Sequence, residues 1–381
     1  MKIENTNRLL LLDCLRGFAL LGILISNIPI FSFPIYSDGI FQDGLAKFVK
    51  AFYHFFVTGK FFVLFSFVFG YGFSILLENI EAKGGNSTRI YFRRLLGLFV
   101  LGIIHAVFLF EGDILVSYSI LGVFLYFVKD MESKWKKMIL VTWILSLFAY
   151  GTIGIATYLS VSTSQEVMDT LSKEAITNHL GDFGQNVTQQ LSDLVYVYPF
   201  ILLFNVPTAA MMFVVGLWAG KRKVFATPEK IWNYFSGKKR YLILVGVLSN
   251  GLYVVSNLFP DHIWLGILPS FFLAFGGISF ALLYVLALVY LISIRDFGES
   301  FLVKGVSRAG SMSLTNYLLQ SILCSFLFDG WGLGWYATLH PGIVLCLTLP
   351  IYGVNVIFSS LWKQYFPQGP MEWLLRKWTY A

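Results

Sequence analysis

Residues 9–31 read LLLLDCLRGFALLGILISNIPIF. A helix needs about 20 consecutive apolar residues to cross a bilayer, and this run is long enough. Two charges interrupt it, Asp13 and Arg16, three positions apart and so on one helical face. Comparable runs follow at 60–77, 90–110, 114–128, 138–161, 198–220, 241–259, 265–292, 306–328 and 342–362. The segment 48–57 is too short to span and reads as an interfacial helix. The expected fold is all-α: a polytopic integral membrane helical bundle with about ten transmembrane helices. One transmembrane domain covers 1–381.

Composition agrees. The chain is 57% hydrophobic and 13% charged, with a mean hydropathy of +0.70. Soluble domains hold about 45–50% apolar and about 25% charged residues, so a soluble globular class is excluded. The net charge of +7 is distributed by loop and is not a nucleic-acid signal. One set of loops carries Lys83, Arg89, Arg93 and Arg94, then Lys129, Lys134, Lys136 and Lys137, then Lys221–Lys223 and Lys238–Arg240, then Arg295, Lys304 and Arg308. The alternate set carries Asp38, Asp43, Glu111, Asp113, Glu166, Asp169, Glu174, Asp182, Asp193, Asp261 and Asp329, with Lys47, Lys50 and Lys173 as exceptions. The positive-inside rule puts both termini in the cytoplasm and the chain in the cell membrane, among membrane lipids. A second copy of the chain is a candidate partner.

Cys14, Cys324 and Cys346 lie far apart, with no metal-ligand spacing, so neither a disulfide framework nor a metal site is expected. Asp13 and Arg16 also break the start of the first apolar run, which argues against a cleavable signal peptide. The stretch 162–195 is acidic and polar and reads as an extracytoplasmic loop within the domain. It is long for a helix connection, and either a linker or a helical cap fits it. Asn186-Val187-Thr188 within it matches a glycosylation sequon.

A charge at mid-bilayer costs roughly 2.5–3.5 kcal/mol on insertion scales, so polar groups inside spans are the pointers to function. Asp13 and Arg16 can form a structural ion pair, or Arg16 can bind a phosphate. Asn27, before Pro29, can polarise a carbonyl or bond a neighbouring helix. His105 is the only histidine well inside a predicted span. It can serve as a general base, with Asp113 orienting it if the chain turns back after Glu111 and Gly112. His54 is weaker, since its segment is interfacial. Asn316 and Gln320 share a helical face with Ser313 and Tyr317 nearby, a stripe suited to a cavity or to helix packing. Phe69-Gly70-Tyr71-Gly72 reads as close helix packing rather than a phosphate loop.

These residues carry a resemblance. The segment from Arg8 through Asp13, Arg16, Gly17 and Gly22 to Asn27 resembles the opening of the YeiB-type bacterial membrane proteins, a family of unknown function. So do Gly59-Lys60-Phe61 with 64–70, His105 with Gly112-Asp113-Ile114-Leu115 and Tyr118, the stretch 314–321, and Gly369-Pro370-Met371-Glu372-Trp373 with Arg376. The first helix, with its Asp-x-x-Arg-Gly core and later Asn, is also similar to that of the heparan-alpha-glucosaminide N-acetyltransferase family and the wider transmembrane acyltransferase superfamily. That similarity implies transfer of an acyl group, acetyl among them, from a cytoplasmic acyl-CoA to an extracytoplasmic or lipid-linked acceptor. Acyl-CoA would be a co-substrate, with no tightly bound cofactor. The lysosomal enzyme has a histidine in the loop after its Asn. The matching stretch here, 38–44, has none, and His105 is the residue that would substitute.

The expected catalytic residues are then His105, Asp113 and Asn27. Arg16, Arg93 and Arg94 would bind the donor, and Asn316, Gln320 and Tyr118 the substrate. A transporter or lipid-handling protein without catalysis is the competing expectation, with the same polar residues lining a path.

Overall fold

The computed structural model describes residues 2–37, 39–82, 87–160, 165–258 and 263–380. Asp38, Lys83 and Asp261, used above for orientation, lie outside them. No strand occurs among the described residues. The first apolar run is a single helix, α1 (Lys2–Ser32). A short amphipathic helix, α2 (Gly44–Phe52), starts at Asp43, whose carboxylate accepts the N–H groups of Leu45 and Ala46. It runs through a π turn (Tyr53–Val57) toward α3 (Phe61–Glu81). Then come α4 (Ser87–Phe108), α5 (Leu115–Val128) and α6 (Trp135–Ser160).

The stretch read as a polar loop is helical. It forms α7 (Gln165–His179) and most of α8 (Phe183–Phe200), which continues through a second π turn into α9 (Val206–Lys221). A capping box starts α8, with Asp182 and Gln185 each satisfying the other's backbone N–H. A polar helix of this kind gives no hydropathy signal, which is why it read as a loop. The cap alternative is the one observed. Asn186 of the sequon is buried against that cap and is not presented to solvent.

The chain ends with α10 (Pro228–Ser236), α11 (Lys239–Leu258), α12 (Ile263–Val289), α13 (Phe301–Ser311), α14 (Ser313–Phe328), α15 (Pro341–Tyr365) and α16 (Pro370–Tyr380). Six helical stretches among the described residues are long and apolar enough to cross a membrane: Leu10–Ser32, Gly44–Glu81, Thr88–Phe108, Phe183–Lys221, Phe272–Ile294 and Pro341–Tyr365. Leu115–Val128 and Ser313–Phe328 are apolar but shorter. The sequence estimate of about ten also counted α6 and α11. This is an all-α membrane bundle.

Lipid gives little hydrophobic drive for helix association, so close backbone packing must supply it. Gly17 of α1 and Gly310 of α13 do this. A Cβ on Gly17 would stand 2.2 Å from the Val306 carbonyl oxygen, and one on Gly310 would stand 1.8 Å from that of Asp13. Gly70 of α3 and Gly216 of α9 press in the same way against the Phe213 and Phe67 backbones. The Gly70 motif is therefore helix packing, as the sequence indicated.

The charged loops segregate to two ends. At the basic end, Lys221 Nζ bonds the Lys129 carbonyl at 2.8 Å and Glu132 at 3.1 Å, and Lys363 reaches Ser311 at 2.7 Å. At the acidic end, α7 and α8 cover the bundle.

Candidate functional site

The centre of the site is the turn between α4 and α5. The N–H groups of Leu109 and Phe110 both close onto the His105 carbonyl, which ends α4 and sends the chain back. Asp113 then accepts the Val116 N–H on Oδ2 at 2.9 Å, holding the first turn of α5. Its other oxygen, Oδ1, meets His105 Nδ1 at 2.8 Å. Gly102 makes the approach possible, because a Cβ there would lie 2.7 Å from the Val116 nitrogen and 3.0 Å from Asp113 Oδ2. His105 and Asp113 are 1% and 0% exposed, so the pair is shut from water.

The second ring nitrogen has a partner that the sequence did not single out. His105 Nε2 lies 2.8 Å from Ser321 Oγ on α14. Asp113 thus bonds the start of α5 through one oxygen and the imidazole through the other. In the tautomer with its hydrogen on Nδ1, the ring donates to Asp113 and its Nε2 can accept from the serine hydroxyl. Ser321 follows Gln320 and lies one turn beyond Tyr317, inside a motif already quoted. Its signal was spacing on that stripe, but a lone serine in a span reads as a helix-packing residue.

Two cavities flank this centre. One, about 310 Å3, opens among Arg16, Arg94, Ser311, Ser313 and Glu372 and runs inward past apolar side chains to Tyr118, Tyr317 and Ile114. The other, about 350 Å3, lies toward the acidic end and is lined by Ser26, Asn27, Thr58, Asn205, Tyr150 and Tyr253 among apolar groups. Ile114 lines both, so the turn carrying Asp113 is the partition between them. The Tyr317 ring packs on His105 at 4.9 Å between centroids, joining the first cavity to the buried pair.

The predicted residues sort by this geometry. Asp13 and Arg16 form an ion pair at 3.0 Å, and Arg16 also faces the first cavity, beside Gly72. Arg94 shares that wall. Arg93 does not: it bonds the Trp378 carbonyl at 2.9 Å and stacks on the Trp378 ring. Tyr118 lines the first cavity and shares a 2.6 Å hydrogen bond with Ser66. Asn27 lies in the second cavity, apart from Arg16 and Arg94.

Asn316 lines neither cavity. Its Nδ2 bonds the Ala309 carbonyl at 2.9 Å and Ser359 at 2.7 Å, its backbone carbonyl accepts from Asn355, and its Oδ1 has no partner. It ties α13, α14 and α15 together, the helix-packing reading of its stripe. Gln320 is buried, with a side-chain nitrogen that has no partner. His54 is half-buried, with both ring nitrogens shut from solvent and unpartnered.

Glu372 went unremarked as a chemical group, yet it shapes the first cavity. Its Oε1 accepts the Leu314 and Thr315 N–H groups at 2.8 and 3.1 Å, capping α14 with a carboxylate from α16. Glu372→Ala is expected to lower stability by about 2 kcal/mol, a cap plus a charge-assisted bond. Chemical unfolding of the detergent-solubilised protein measures this, and an unchanged midpoint would refute it.

A second polar cluster sits under the cap. His179 Nδ1 meets Asp329 at 3.0 Å and its Nε2 meets Asp193 at 3.5 Å, while its ring stacks on Tyr336 at 4.2 Å. Tyr36 donates to Asp193 at 2.7 Å, and Gln190 donates to Glu111 at 2.9 Å. Burial opposes the charged His179, but the hydrogen bonds to Asp193 and Asp329 and the charges of Asp329 and Glu111 outweigh it and raise the pKa to about 9. Burial first, then Asp193, pushes Glu111 up to about 7.

Comparison with known proteins places the chain. It is 33% identical to the uncharacterised protein YxaH of Bacillus subtilis (strain 168), covering 99% of this chain and 95% of that one. The family described as "Protein of unknown function (DUF418)" matches residues 219–381. The chain belongs to this family. Another relative is the uncharacterised protein YeiB of Escherichia coli (strain K12), 28% identical over 97% of this chain and 95% of YeiB. A further one is an uncharacterised 39.9 kDa protein in the amylase 3' region of Bacillus acidopullulyticus, 27% identical over 97% of this chain and 93% of that protein. No solved structure matches. The DUF418 match begins near the end of α9 and takes in Ser321 and Glu372, while His105 and Asp113 fall in the part covered by the full-length relatives.

Proposed function

We propose that this chain is a membrane acyltransferase. It moves an acyl group, acetyl the simplest, from a cytoplasmic acyl-CoA to an extracytoplasmic or lipid-linked acceptor. The observation that carries the reading is the buried His105–Asp113 pair at the partition between two cavities. Transfer across a membrane needs a donor chamber, an acceptor chamber and a base where they meet.

With both termini in the cytoplasm of a cell-membrane protein, the basic end faces the donor. Arg16 and Arg94 then offer guanidinium groups to donor phosphates, and the apolar inner stretch suits an acyl chain and its linker. The acceptor chamber is lined by neutral amide and hydroxyl groups, including Asn27, which suits an uncharged hydroxyl-bearing acceptor. His105 takes the proton from that acceptor as it attacks, and Asp113 stabilises the imidazolium.

The test is proteoliposomes given acetyl-CoA labelled in the acetyl group, with a panel of sugar and lipid acceptors on the opposite face. Transfer to any acceptor, lost in His105→Ala, supports the reading. Absence of both acetyl-CoA binding and transfer across the panel overturns it, and movement of an unmodified solute would mean a transporter instead. Arg94→Gln is expected to weaken acetyl-CoA binding about 10- to 100-fold, the value of one charge-assisted contact. Equilibrium binding with the labelled donor checks this, and an unchanged affinity removes Arg94 from the donor site.

A further inference from the structure

Ser321 has no role in the reading above, and its position demands one. It completes a chain of three side chains: Ser321 Oγ to His105 Nε2 at 2.8 Å, and His105 Nδ1 to Asp113 Oδ1 at 2.8 Å. Each residue comes from a different segment, α14, α4 and the turn before α5, so helix periodicity does not produce the alignment. Burying a carboxyl group at 0% exposure is expensive, and apolar side chains would lock the same helices at lower cost. The order of groups is the one that activates a hydroxyl, with a carboxyl group on one side of the imidazole and the serine on the other. Access is close: the Tyr317 ring, which packs on His105, also lines the donor cavity, and the Ser321 hydroxyl has the Tyr317 carbonyl one turn back, at 3.3 Å, as its alternative acceptor.

We infer that Ser321 is the nucleophile of a two-step transfer and carries the acyl group as an ester between the two cavities. This deepens the acyltransferase reading and rests on it. In the first step Ser321 Oγ gives its proton to His105 Nε2 and bonds to the thioester carbonyl carbon. The carbon–sulfur bond breaks, and the coenzyme thiolate leaves with the proton that His105 returns. In the second step the acceptor hydroxyl gives its proton to His105, and its oxygen bonds to the acyl carbon. The ester bond to Ser321 breaks, and Oγ recovers the proton. Nothing is oxidised or reduced. The Tyr317 ring must swing aside for the donor carbonyl to reach Oγ.

The experiment uses the full-length protein in lipid nanodiscs, with acetyl-labelled acetyl-CoA and no acceptor. Peptide mapping is expected to find label on Ser321, none in Ser321→Ala, and little in His105→Ala. A fluorophosphonate probe, which needs no donor, should modify the same serine in the wild type. Ser321→Ala should lower transfer by a factor of about a thousand or more. Ser321→Cys guards against a folding artefact, because it should still take up label, now as a thioester cleaved by neutral hydroxylamine. Transfer that proceeds with no acyl-Ser321, or that survives in Ser321→Ala within about tenfold, overturns the inference and leaves direct transfer standing. Absence of both label and transfer sinks this inference together with the acyltransferase reading.

Discussion

Asp113→Asn is expected to lower acyl transfer by about three to four orders of magnitude while the protein stays folded. The asparagine oxygen can still accept the Val116 N–H, so the first turn of α5 survives. Its NH2 group, however, now donates toward His105 Nδ1. The imidazole must put its hydrogen on Nε2, which then faces Ser321 as a donor and can no longer take a proton. The carboxylate that would stabilise the imidazolium is gone as well. The fall should appear in kcat, with donor binding unchanged, because Arg16 and Arg94 lie at the far end of the cavity. Asp113→Ala is a different experiment: it leaves the Val116 N–H and the ring unpartnered in a dry site and should cost about 2–4 kcal/mol of stability. Measuring turnover, acetyl-CoA affinity and the unfolding midpoint for both variants separates the two effects. An Asn variant with turnover within about tenfold of wild type would show that the pair only holds α4 to α5.

The bundle was legible in the sequence because lipid forces one solution, helices with apolar exteriors, and such helices announce themselves as runs of apolar residues. The His105–Asp113 contact was legible as a conditional, since Gly112 sits between a helix end and a helix start. Its confirmation needed Gly102, which lets the turn press against α4. Asn316 misled because a buried amide in a span looks the same whether it faces a ligand or a neighbouring helix. Only the Ala309 and Ser359 partners of its Nδ2 decide it. Arg93 and Arg94 are adjacent in sequence, yet one stacks on Trp378 and the other faces the cavity, because successive residues on a helix point about 100° apart. Ser321 and His179 were invisible for a common reason: each acts through partners far away in the chain, 216 residues for Ser321 and 150 for His179.

The cap at the acidic end is expected to loosen as pH rises. His179 has its pKa raised from 6.5 to about 9, so it binds its proton more tightly in the docked structure than when released. Its contribution is therefore full below about 6.5 and is lost as pH climbs through about 9. Glu111 works in the same direction. Its pKa is raised from 4.5 to about 7, so its neutral form is favoured in the docked state, and stability falls as pH rises between those values. Two groups lose ground in sequence, first Glu111 beside Asp193, then His179 between Asp193 and Asp329. Shifts of this size amount to a few kcal/mol across the range, enough to change the docked population of α7 and the start of α8 by orders of magnitude. Hydrogen exchange of the α7 amides, corrected for the intrinsic pH dependence, should show protection falling from about pH 4.5 to about pH 9. His179→Gln should flatten the upper part of that curve, and Glu111→Gln should raise protection at neutral pH by removing the buried charge. Val197 of α8 and Ile201 of the π turn after it line the Asn27 cavity, so the helix of the cap and that cavity share a wall. Protection that stays constant over the whole range would show that α7 is held by its apolar contacts and by the His179 carbonyl's bond to the Gly330 N–H alone.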